Sequence, residues 1–206
     1  GRRGTRPMKP WRHHAFVYSI VAALWLTSGL CVIQNTLTDW RSRLVPRMPT
    51  GDVVIVAVDA RSIAKLGVWP WSRALHAKLL DNLRLADASD VAFDIDFGSR
   101  STAIDDQALA KALEQFGGSA ILPMFNQIGK DANGLPRLYT TRPLPEFADR
   151  AWLASVNVVP ESNGVVRRYA LGETVDGQFY PSLAGVLAGS YDKTSRLLYL
   201  DYGIDA

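Results

Sequence analysis

Between His13 and Thr38 the chain holds 26 consecutive residues without Asp, Glu, Lys or Arg, and this stretch constrains its fold more than any other. The core, Ala15–Ile33, reads AFVYSIVAALWLTSGLCVI. At 1.5 Å per residue, a helix over that core reaches roughly 28 Å, close to the ~30 Å hydrocarbon thickness of a bilayer. Trp11 and Trp40 bracket the stretch as interfacial tryptophans would. A cleavable secretory signal has an apolar region of about 7–15 residues and a small-x-small cleavage site. This run is longer, and Ile33-Gln34-Asn35-Thr36 offers no such site. Leu30 before Cys31 is wrong for a lipoprotein signal. A buried soluble helix competes, although nothing polar recurs at helical spacing to give it a wet face. The pattern predicts one transmembrane helix over residues 13–38, with Cys31 as an apolar residue inside the bilayer.

The charge pattern orients that helix and excludes one class of partner. Arg2, Arg3, Arg6, Lys9 and Arg12 place five of the 23 basic residues in the first twelve positions, leaving 18 against 20 acidic ones. Residues 1–12 therefore read as a basic cytoplasmic tail, with residues 39–206 beyond the bilayer. Because the body is mildly acidic, it offers no basic stripe for phosphates, and no nucleic-acid partner is expected. A single cysteine excludes an intramolecular disulfide, and His13, His14 and His76 do not have the spacing of a zinc site. No metal or other cofactor is expected.

Residues 39–51 read as a juxtamembrane linker. Leu37, Trp40 and Leu44 recur at i, i+3 and i+7, which continues a helix with one apolar stripe until Pro46 and Pro49 end it. The stripe serves either as a spacer or as a contact between the two protomers of a homodimer.

The body, residues 52–206, alternates strand and helix. Val53–Val58 is a β-branched run with the look of a strand buried on both faces. Ser72 can cap a helix carrying Leu75, Leu79, Leu80 and Leu83 at helical spacing. Val91–Phe97 is a second strand, Asp105 and Asp106 open a helix over 107–116, Gly117-Gly118 ends it, and Ala120–Phe125 is a third strand. Short loops between these elements imply right-handed crossovers. The expected fold is α/β, a parallel-core three-layer sheet. Later, Gly129–Pro136 reads as a polar loop, and 154–159 and 165–171 as strands joined into a hairpin through Asn163-Gly164. Asp176-Gly177 marks a second turn, 181–189 a helix starting at Pro181, and 196–202 a last strand. The chain stops at Ala206 without a closing element, so the domain is expected to continue past it.

Open parallel sheets bind ligands outside the carboxyl ends of their strands, where Asp59, Asp94 and Asp96 fall. Asp94-Ile95-Asp96 is similar to the Asp-x-Asp of haloacid-dehalogenase-type phosphatases, which implies an alternative: a membrane-anchored phosphatase with magnesium at these carboxylates. That family also needs a later lysine and further acids, which the chain does not place. Trp69-Pro70-Trp71-Ser72-Arg73 is the most unusual local sequence. Two indoles and a guanidinium can form a stacking pocket, or Pro70 can set a rigid turn whose rings plug the sheet edge. The candidate ligand-binding residues are therefore Asp59, Trp69, Trp71, Arg73, Asp94 and Asp96, with no catalytic residue. Arg167 and Arg168 most simply pair with acids, and Asn157 and Gly164 serve the hairpin.

One ordered series of motifs spans the body: Asp52-Val-Val-Ile-Val-Ala-Val-Asp59, Leu66-Gly-Val-Trp-Pro-Trp-Ser-Arg73 with His76, Phe93-Asp-Ile-Asp-Phe97, and Asp106-Gln-Ala-Leu-Ala110. Pro143-Leu-Pro145, Val156-Asn-Val158, Gly164-Val-Val-Arg-Arg168 and Tyr180-Pro-Ser-Leu183 follow. The series resembles the type-2 CHASE domain, an extracytoplasmic sensory module of bacterial signalling proteins. The resemblance implies a non-enzymatic input domain for an unknown small-molecule or envelope ligand, anchored in the inner membrane with residues 39–206 periplasmic. It also implies a cytoplasmic output outside this chain: a diguanylate cyclase or phosphodiesterase (GGDEF or EAL), an adenylate cyclase, or a kinase.

Overall fold

A computed structural model of the chain describes residues 10–26, 29–44, 48–161, 163–191, 197–200 and 202. The chain divides into two compact units, residues 1–55 with 201–206, and residues 56–200.

The first unit contains helices α1 (Pro10–Leu26) and α2 (Gly29–Leu44). Within α1 only Ala15–Leu26 lacks charged and histidine side chains. The second half of α2 carries Asp39, Arg41 and Arg43. Among the described residues no helix is long and apolar enough to cross a membrane. The transmembrane helix predicted over 13–38 is thus not found among the described residues. The inner-membrane topology inferred from it, with residues 39–206 periplasmic, is corrected with it. The side chains of Trp11 and Cys31, residues 27–28 and Pro46 lie outside the described residues. Leu37, Trp40 and Leu44 all lie on α2 and are exposed.

The second unit is built around one strand. Its elements in order are α3 (Ala60–Leu66), α4 (Arg73–Leu85), β1 (Val91–Ala92), α5 (Ala103–Gln115), β2 (Ala120–Lys130), β3 (Pro136–Thr141), α6 (Pro145–Ala148) and β4 (Trp152–Ser155). Then come β5 (Arg168–Ala170), β6 (Gly172–Val175), β7 (Gln178–Pro181), α7 (Leu183–Leu187) and β8 (Leu197–Tyr199). The first half of β2 pairs parallel with β1 (Val91 opposite Ala120) and with β4 (Trp152 opposite Ile121). Its second half pairs antiparallel with β3, from Phe125–Thr141 to Lys130–Pro136. The parallel core is as expected of the α/β class. Residues Ala120 to Met124 are all buried, because β2 is covered on both faces.

Three helices of this unit begin where a side chain satisfies a first amide: Asp59 ahead of α3, Thr102 ahead of α5, accepting from the Asp105 N–H at 3.2 Å, and Ser182 ahead of α7. Ser72, expected to cap α4, precedes it without a side-chain hydrogen bond to the helix. Asp105 and Asp106 then sit at the positive pole of α5. Gly117 and Gly118 end that helix at φ 73° and 87°, values that cost glycine nothing. The apolar stripes of α4 and α5 meet in the main core, where Leu80, Leu109 and Leu113 join Phe93, Phe97, Phe116, Leu122 and Phe147. A second group, Met124, Val175 and Tyr180, ties the β6–β7 hairpin to the sheet.

Several sequence expectations change. Val53–Val58 is in no strand and its side chains are exposed, Ile55 to 85%; no strand among the described residues pairs with it. The polar loop 129–136 is the tip of the β2–β3 hairpin, with Asp131 Oδ1 accepting from Asn133 and Leu135 at 2.9 Å. The expected hairpin of 154–159 with 165–171 does not form: β4 pairs parallel with β2, and β5 pairs antiparallel with β8. The turn at Gly164 is nonetheless present, at φ 79°. Asp176 and Gly177, both at positive φ, close β6 onto β7 as predicted. Helix α7 starts after Ser182, because Pro181 belongs to β7.

Candidate functional site

The motif Trp69-Pro70-Trp71 forms a corner just ahead of α4, with a cis peptide bond at Trp69–Pro70. Trp71 is anchored by its Nε1–H, which donates to the Gly67 carbonyl at 2.9 Å. The two indoles meet edge to face at 5.5 Å, and Trp69 meets the His76 ring at 5.9 Å. Behind them His76 packs edge-on against Phe97 at 5.6 Å and Phe93 at 6.3 Å. The result is a continuous aromatic stack from the core to the surface, ending in Trp69, which keeps 39% of its surface exposed. Burial pushes His76 below its ordinary value near 6.5, and the Arg73 charge adds to this.

Arg73 faces inward. Its Nε lies 2.8 Å from Asp106 Oδ1, its Nη2 donates to the Ser99 carbonyl, and the guanidinium lies over Phe97 and Phe147 at 5.4 and 5.2 Å. Both charged side chains are over nine-tenths buried. Arg73 therefore holds α4 to α5 and supports the aromatic corner from behind, and it presents no face to a ligand.

Asp59 caps α3: its Oδ1 accepts from the Ser62 N–H at 2.8 Å and the Ser62 hydroxyl at 2.6 Å. Those two bonds hold its carboxyl below the usual carboxylate range. Asp94 and Asp96 follow β1 at its carboxyl end and are both exposed. Asp96 Oδ1 accepts from the Gly98 N–H at 2.7 Å, which leaves its outer oxygen to solvent. Among the described residues no hydrogen bond or ion pair joins Asp59, Asp94 or Asp96 to the tryptophans or Arg73, and no cluster of His, Cys, Asp and Glu could hold a metal ion. The structure thus unites Trp69, Trp71 and Arg73, with His76 as their link. Asp59 has a capping role of its own.

A polar network at the same end of the sheet escaped the sequence reading. Asn157 Oδ1 accepts from the Asn126 N–H at 3.0 Å, and its Nδ2 donates to Glu173 Oε1 at 2.6 Å. The Ser155 hydroxyl also donates to Glu173, and Thr140 donates to Asn126 Oδ1 at 2.7 Å. Asn157 therefore joins β2, β4 and β6 at the carboxyl end of the parallel strands, where it was expected only to serve a hairpin. The Val156-Asn-Val158 motif, a polar residue between two apolar ones after a strand, was its only signal. Arg167 pairs with Glu161 at 2.9 Å, as expected of an arginine facing an acidic body.

The sequence model of the CHASE2 domain matches residues 16–202, most of the chain. Neither curated proteins nor solved structures gave a match. The match covers the aromatic corner, the Asp94–Asp96 edge and the Asn157 network together. The chain belongs to the CHASE2 family of extracytoplasmic sensory domains of bacterial receptors.

Proposed function

We propose that the domain recognises a small ligand at the carboxyl end of its parallel strands, with Trp69 and Trp71 as an aromatic wall and Asp94 and Asp96 as outward carboxylates. The observation that carries this reading is Trp69 itself, a large ring left well exposed while Trp71 and His76 hold it from behind. A preformed aromatic face beside a sheet's carboxyl edge suits a ligand better than a ring that has still to be ordered. CHASE2 domains are sensory modules and not enzymes, so the two aspartates bind and do not turn over a phosphoester. Asp59 and Arg73, also drawn from the sequence as ligand residues, act through the local structure they stabilise.

Ligand binding favours one of two arrangements of the domain through a difference in affinity between them. The favoured arrangement then controls a cyclic-nucleotide or kinase output carried elsewhere in the receptor. The exposed stripe of Leu37, Trp40 and Leu44 supports a homodimer, because three apolar side chains at i, i+3 and i+7 make one helix face. The test is the intact receptor carrying Trp69→Leu or the pair Asp94→Asn with Asp96→Asn. Each should abolish the response to stimulus while basal output persists. An unchanged response in both would refute this placement of the site.

A further inference from the structure

A cleft of about 850 Å³ opens in the 56–200 unit between the end of α5, the turn from α6 into β4, and β7. None of Trp69, Trp71, Asp94 or Asp96 lines it. Its size falls in the range of small-molecule sites.

Most of what gives this cleft a sign points the same way. Trp152 and Phe179 supply aromatic surface, and the Trp152 ring is backed by Tyr191 at 6.0 Å. Glu114 and Asp149 bring two carboxylates to the rim against one cation, Arg150. That cation is tethered: Arg150 Nη1 donates to the Glu146 carbonyl at 2.7 Å, and its Nε lies 3.8 Å from Glu114. The Asp149 carboxylate has no partner among the described residues. The carboxyl pole of α5 carries no basic residue in its last turn. Gly117 and Gly118, where an added Cβ would meet nothing within 4 Å, leave that pole unscreened.

We infer that this cleft binds an organic cation, an ammonium group carried on a small apolar body. Aromatic faces, carboxylates and a helix carboxyl pole each attract positive charge, and the same three repel an anion. A neutral polyol could stack on Trp152 but would gain nothing from the charge.

The experiment is calorimetric titration of the full chain with choline and with its neutral carbon analogue, 3,3-dimethylbutan-1-ol. Choline should bind saturably and at least about tenfold tighter than the analogue. Trp152→Leu and Asp149→Asn should each weaken it roughly 3- to 30-fold, the range of a partly desolvated cation–π or charge contact. Trp69→Leu should leave it unchanged, which separates this site from the aromatic corner. Asp149 is exposed, so Asp149→Asn keeps the test decisive even if Trp152→Leu fails to fold. No saturable choline binding, equal binding of the neutral analogue, indifference to Asp149→Asn, or loss in Trp69→Leu would each overturn the inference.

Discussion

Removing Asp106 should destabilise this domain more than its small side chain suggests. Arg73 Nε and Asp106 Oδ1 are 2.8 Å apart with side chains only 8% and 5% exposed. Asp106→Leu leaves a guanidinium enclosed by Phe97 and Phe147 with the Ser99 carbonyl as its remaining acceptor. Breaking a buried pair from one side costs about 3–5 kcal/mol, mostly from the charge left behind. For a chain of this size that lowers Tm by about 6–20 °C. Arg73→Met costs less, because Asp106 keeps the Ser101 N–H at 3.2–3.3 Å. Removing both charges in Arg73→Met with Asp106→Leu should recover about 2 kcal/mol or more relative to the sum of the single losses. Glu146→Gln is the control: its pair with Arg100 is 3.2 Å long and its Arg100 side is mostly solvated, so breaking it should cost under about 1 kcal/mol. Urea unfolding followed by tryptophan fluorescence measures all four variants. Additive single losses, or an Asp106→Leu cost no larger than the control's, would refute the reasoning.

Three further outcomes follow from the same packing. His76 is held below its ordinary value near 6.5, so below that pH the unfolded chain binds more protons than the folded one. Stability should fall as pH drops through 6.5, and His76→Phe should flatten that slope between pH 7.5 and 5.5; an unchanged slope would assign the effect to other groups. Thr102→Ala removes the acceptor for the Asp105 N–H and should cost about 1 kcal/mol in denaturant unfolding. Gly172→Ala would drive a Cβ into the Phe179 ring and to 2.6 Å from the Tyr180 carbonyl. It should cost about 1–3 kcal/mol, with the hairpin's amide protection as the readout.

Much of the second unit was readable along the chain, because the relevant signals are local. Ser72 before a leucine stripe marks α4, the two aspartates and the double glycine bound α5, and Asp-Gly closes β6 onto β7. The candidate site was half readable. The motif Trp69-Pro70-Trp71 stood out by composition, but its link to the core through His76 did not, since a lone histidine carries no spacing signal. The burial of Arg73 was not readable, because exposure is not written beside a residue. Its partner Asp106 opens a different helix, and only the packing of α4 on α5 brings the two together.

By itself the sequence determined the family, through the order of its motifs along the body, and the α/β grammar and the ends of the principal helices, which depend on neighbours within a turn or two. The tertiary structure alone decided which strands pair and where the buried charges lie. Val53–Val58 has the composition of a core strand and yet is exposed, because composition sets a strand's tendency while pairing needs an edge to receive it. Asn157 reaches Asn126 across 31 residues for the converse reason: the sheet register, set by burial of β2 on both faces, brings together amides that no local pattern connects.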